Sequence, residues 1–158
     1  MLYATLKTLH LLSVIVWMGG MVFVHFFLRP ALHSMEPAMR VQLMHAVLGR
    51  FFHAVMMAVV VILTTGTWMI GRVAKQVVQA GGSFHMPVSW MVMSALGIVM
   101  MLLFAHIRYA LYKRLGRAVE AADWSAGAEV LRRIRTWVSI NLGLGVVIVV
   151  VTILGLPT

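Results

Sequence analysis

Cysteine is absent, and carboxylates nearly so: the only acidic residues are Glu36, Glu120, Asp123 and Glu129. The first absence excludes disulfides, thiolate metal sites and cysteine nucleophiles. The second leaves paired acid–base chemistry in an apolar interior with almost nothing to run on. Charge of either sign is scarce as well, at 11% of 158 residues. A water-soluble domain carries roughly a quarter. What fills the chain is apolar, 62% of it, with a mean hydropathy of +0.97. The apolar residues run in four long blocks, and a bilayer-spanning helix needs about 20 such residues in a row. The sequence therefore reads as a membrane protein.

The net charge of +9 does not point to nucleic acid. The thirteen Lys and Arg side chains punctuate the ends of the apolar blocks and form no groove-reading surface. They bound four predicted spans, at about 8–28, 51–71, 88–107 and 136–156. Arg29-Pro30 ends the first span, and Pro37 suits the first turn of a new helix. Leu43, Val47 and Phe51 then predict an amphipathic helix running into the second span. Gly81-Gly82-Ser83 and Pro87 divide the uncharged stretch that follows. Leu111, Leu115 and Val119 share a helix face, and Asp123 is placed to cap the helix that carries Arg132, Arg133 and Arg135.

With four spans, both termini and the middle loop share one side and hold only Lys7, Arg72 and Lys75. The other two connections hold the remaining ten basic residues. The positive-inside rule then places those connections in the cytoplasm and both termini outside, with a bacterial inner membrane the expected location. The expected architecture is all-α: residues 1–158 form one four-helix up-down transmembrane bundle with amphipathic cytoplasmic connections. The expected partners are the bilayer, with anionic lipid at the basic connections, and a second copy or a redox partner. Spans four and one offer small residues for packing, in the pairs Ser139/Gly143 and Asn141/Gly145 and in Ser13 and Gly20.

Histidine and methionine carry the remaining chemistry. His25, His53 and His106 each lie two or three residues inside the cytoplasmic ends of three different spans. They share one depth, about 5 Å inside the boundary, with Asn141 placed to accept a hydrogen bond from them. His10 stands apart in the outer half of span one, on a stripe with Ser13, Trp17 and Gly20. His85 falls in the outer loop, and His33 and His45 in the first cytoplasmic connection. Neutral imidazole ligates both haem iron and copper. An intramembrane ionisable group is a functional candidate by default, although His also serves as interhelical glue. Met56, Met57, Met91, Met93, Met100 and Met101 offer thioethers of the kind Cu(I) favours, against the ordinary role of Met as apolar filler. Trp68, Trp90 and Trp137 fall near span ends as an aromatic belt requires. Trp17, at mid-span, faces either a cofactor or the bundle interior.

Lys7-Thr8-Leu9-His10, then Trp17-Met18-Gly19-Gly20, then Leu28-Arg29-Pro30-Ala31-Leu32 resembles the CopD (copper-resistance D) domain family. Gly49-Arg50-Phe51-Phe52 with Leu63-Thr64-Thr65-Gly66 looks similar to its second span, and Asn141-Leu142-Gly143-Leu144-Gly145 to its last. The first-span pattern is also similar to HemJ-type protoporphyrinogen oxidases, which implies a haem or metal role for His10. Trp90 is followed here by Met91, Val92, Met93 and Ser94, without the His and Lys of that group, and the fourth span lacks its acidic residue. Porphyrinogen oxidation is therefore not expected. The leading expectation is a b-type haem protein for electron transfer or redox sensing, with axial ligands from His10, His25, His53 and His106 and Trp17 against the cofactor. The alternative is a copper-binding or copper-transporting protein using His10, His85, Met91 and Met93. A membrane assembly partner without a cofactor is the third reading.

Overall fold

The computed structural model describes residues 1–154. Residues 155–156 of the predicted fourth span, and the last two residues of the 1–158 domain, lie outside the described residues. Four helices follow one another: α1 Leu2–Ala31, α2 Pro37–Gln79, α3 Val88–Glu120 and α4 Trp124–Leu154. All four are long and apolar enough to cross a membrane, and no strand occurs among the described residues. α1 and α2 pair along their lengths, as do α3 and α4, with further contacts linking the pairs. The result is an all-α membrane bundle with two ends. The hairpin end holds the tight connections at 32–36 and 121–123. The terminal end holds Met1, the 80–87 loop and Leu154.

The helices are longer than the spans read from hydropathy. At 43 residues α2 is about 65 Å long, twice the hydrocarbon thickness of a bilayer. The predicted amphipathic segment and the second span are one continuous rod. Its buried stripe runs through Val41, Met44, Leu48, Phe52, Val55 and Ala58, at the i, i+3, i+4 spacing that keeps one face on a core. Leu111, Leu115 and Ala118 of α3 and Ile134 and Val138 of α4 close over it. Close packing is concentrated toward the hairpin end. Beyond Trp17, Ala58, Met100 and Gly145 toward the terminal end, Thr65 is the one buried residue among those described.

Two segments depart from ideal α geometry, both toward the hairpin end. Phe23–Leu28 and Ile107–Leu111 are π-helical, and the Arg29 and Tyr112 N–H groups reach back five residues to Val24 and Ile107. The first precedes Pro30, whose ring and missing N–H disrupt an ideal helix in the turn before it. No comparable local cause accounts for the second.

The connection between α3 and α4 is built by its own residues. Ala122 adopts a left-handed φ of 51°, and Asp123 Oδ1 accepts the Ala126 N–H at 2.9 Å, capping α4 as the sequence predicts. Asp123→Ala is expected to cost about 1 kcal/mol. Ala122→Gly should restore up to about 1 kcal/mol by relieving the left-handed backbone. Equilibrium unfolding in mixed micelles checks both signs.

Small residues mark the helix contacts only in part. A Cβ on Gly20 would fall on the Phe51 ring, and one on Gly145 would meet Met18. Gly143 has open space around it, so that half of the predicted Ser139/Gly143 pair makes no close approach.

Candidate functional site: an oriented histidine and a thioether cluster

His10 lies half-buried on α1 toward the terminal end and turns to α2, where its Nδ1 sits 3.0 Å from Thr65 Oγ1. The Thr65 hydroxyl donates to the Val61 carbonyl at 2.5 Å. Its oxygen is therefore the acceptor, and the ring proton belongs on Nδ1. This fixes one tautomer and leaves the Nε2 lone pair free, the arrangement found behind metal-ligating imidazoles. Gly66 stands opposite the ring, where an added Cβ would be in ordinary contact with His10 Cε1 at 3.4 Å. Thr65 was not among the predicted site residues. Its signal was present all the same, as a buried hydroxyl within Thr64-Thr65-Gly66 in an otherwise apolar run.

The predicted inner histidine layer is not assembled. His25 donates from Nδ1 toward Ser139 Oγ at 3.3 Å, the serine hydroxyl being spent on the Arg135 carbonyl. His106 packs edge-on against Trp137 with centroids 5.3 Å apart. Trp137 and Ser139 are two residues apart on α4, so His25 and His106 sit on opposite faces of that helix. His53 is exposed and donates to the Gly49 carbonyl of its own helix at 2.7 Å. Shared depth did not mean shared facing. Asn141 bonds none of the three: it is 1% exposed, with Nδ2 3.9 Å from Met21 Sδ.

Trp17 resolves toward the interior. It is 4% exposed and meets Phe104 edge-to-face at 6.0 Å, filling the core. Measured from that pair, His10 is level with Gly97, and Met93 and Met91 lie about 6 and 9 Å further toward the terminal end. They stand on α3, which packs along α4, whereas His10 faces α2. His85 is exposed in the 80–87 loop, beside the Ser83 carbonyl and hydroxyl. The packing thus distributes His10, His85, Met91 and Met93 over different parts of the bundle. No group of three or more His, Asp or Glu side chains gathers as a metal cluster among the described residues.

Thioethers do gather. Met18 of α1 and Met100 of α3 both abut the backbone of Gly145 on α4, and Met21 touches Asn141 one turn away. Met21 and Met100 are buried, and the Asn141 Oδ1 atom beside them has no hydrogen-bond partner. The cluster lies about 12–16 Å from His10 along α1, toward the hairpin end.

Fold and composition together define a polytopic integral membrane protein built on four apolar helices. The family profile described as Copper resistance protein D matches residues 45–154, from within α2 to the end of α4. The chain belongs to the copper resistance protein D family. No curated protein and no solved structure matches significantly, and nothing found supports the likeness to HemJ-type oxidases or the binding of haem.

Proposed function

We propose that this chain binds Cu(I) within the membrane and passes it between the terminal end and the middle of the bundle. The observation that carries this reading is the bond between His10 and Thr65, which leaves a neutral imidazole nitrogen free. Met69 lies one helical turn beyond Thr65 on the same stripe of α2 and offers the nearest thioether along that helix. A low-coordinate imidazole–thioether pair suits Cu(I), whereas hard divalent cations want carboxylates, and all four of this chain's lie at the hairpin end, away from His10. The Met18, Met21 and Met100 cluster is the second station, its ligands soft thioethers of which Met21 and Met100 are buried. The ten-to-three division of basic residues supports a terminal end facing outside, so that copper arrives from that side as cargo. The whole chain, residues 1–158, acts as one transmembrane domain in this reading.

The test is an anaerobic competition titration of the purified full chain against a chromogenic Cu(I) chelator. The wild type should bind Cu(I) stoichiometrically. Thr65→Val keeps the shape but removes the acceptor that fixes the tautomer, and should weaken binding about 10–100-fold. No stoichiometric binding by the wild type, or an unchanged affinity in Thr65→Val, would count against the reading.

A further inference from the structure

The hairpin end of the bundle, opposite His10, carries a feature that copper binding does not use. Between the hairpin ends of α1, α2 and α4 there is a cavity of about 550 Å³, well within the range of small-molecule sites. Its polar lining is entirely basic or imidazole: Arg29, Arg40, Arg135, His25 and His33. Arg135 and Arg40 both lie close enough to Arg29 to act on its charge. Arg29 Nη1 is buried with no hydrogen-bond partner. Among the described residues the ion pairs join Glu129 to Arg132 and Arg133, and no carboxylate pairs with the three arginines of the cavity. Arg29 and Arg40 are half-buried and Arg135 exposed, so the cost of the empty site falls on the buried Arg29 Nη1, which lacks a counter-charge while two like charges line the same space.

The remaining wall is apolar and includes Leu32, Met44, Leu48, Ile134 and Val138. The π-helical segment of α1 contributes Val24 and His25 to the lining, and Arg29 follows it directly. Widened turns of this kind recur at functional sites. A guanidinium set matches the oxygens of a phosphate group in charge and geometry. We propose that this cavity is a binding site for a phosphate-bearing anion, its charge held by Arg29, Arg40 and Arg135. The apolar wall fits the glycerol and upper acyl chain of an anionic phospholipid. Free inorganic phosphate would use the same arginines alone.

The experiment uses the full chain in zwitterionic detergent. Native mass spectrometry with phosphatidylglycerol and phosphatidylcholine supplied together should show retained phosphatidylglycerol, preferred on the order of tenfold or more. Arg29→Gln combined with Arg40→Gln should reduce that preference to none. Arg132→Gln combined with Arg133→Gln, off the cavity on α4, should leave it intact. A melting temperature raised by millimolar inorganic phosphate without lipid, and lost in the same cavity variant, would assign the site to free phosphate. As a check on folding, Arg29→Gln alone should melt higher than wild type in lipid-free, phosphate-free detergent, since it removes one uncompensated charge. Equal retention of the two lipids by wild type together with no response to phosphate would overturn the proposal. So would a preference that survives loss of the cavity arginines.

Discussion

Replacing His10 by alanine is expected to lower Cu(I) affinity more than about 100-fold while the bundle stays folded. The imidazole makes one interhelical hydrogen bond, to Thr65, in a region where few side chains are buried. Such a bond inside a membrane contributes about 0.6 kcal/mol, too little to unfold four paired helices. Its Nε2, by contrast, is the only nitrogen ligand offered at that station, and alanine supplies nothing in its place. Chelator competition reads the affinity, and far-UV circular dichroism with a melting curve reads the fold. An unchanged affinity would remove His10 from the site, and a collapsed fold would make it a packing residue.

The largest effect on stability is expected at Phe52, well removed from His10 toward the hairpin end. Its ring is 1% exposed and meets Phe51, Phe104 and Tyr112 with centroids 5.9, 5.8 and 5.4 Å away. It joins α2 to α3 where the two helix pairs are packed most closely. Phe52→Ala should therefore cost about 3–5 kcal/mol through lost ring contacts and the cavity left behind. Leu102→Ala, at a position 65% exposed, should change stability by no more than about 0.5 kcal/mol. Reversible unfolding in mixed micelles compares the two. A Phe52→Ala cost as small as that of Leu102→Ala would mean the aromatic node does not hold the pairs together.

The four helices were legible because their signals are local. Long apolar blocks, the glycines and Pro87 between α2 and α3, and the Asp123 cap each act within a few residues, and each reappears in the structure. The join between the amphipathic segment and the second span was legible in the periodicity of Leu43, Val47 and Phe51, although hydropathy alone began the span at 51, and its continuation from 71 to Gln79 was not legible. Rotation was not legible. Each residue turns a helix by about 100°, so the common depth of His25, His53 and His106 said nothing about whether they face one another. Trp17 likewise had two equally good positions until the partner ring of Phe104 was placed. The arginine cavity was hidden for a different reason. Arg29, Arg40 and Arg135 sit where topology alone asks for positive charge, so their convergence left no mark in the sequence. Met100 stood among the candidate thioethers, whereas Met18 and Met21 were masked by the ordinary use of methionine as filler.

The most direct test of copper held by His10 is an X-ray absorption spectrum of the full chain loaded anaerobically with Cu(I). Copper bound as proposed gives the multiple-scattering signature of an imidazole together with a sulfur shell from thioether. A sulfur-only spectrum, or a protein that retains no stoichiometric copper, would contradict it.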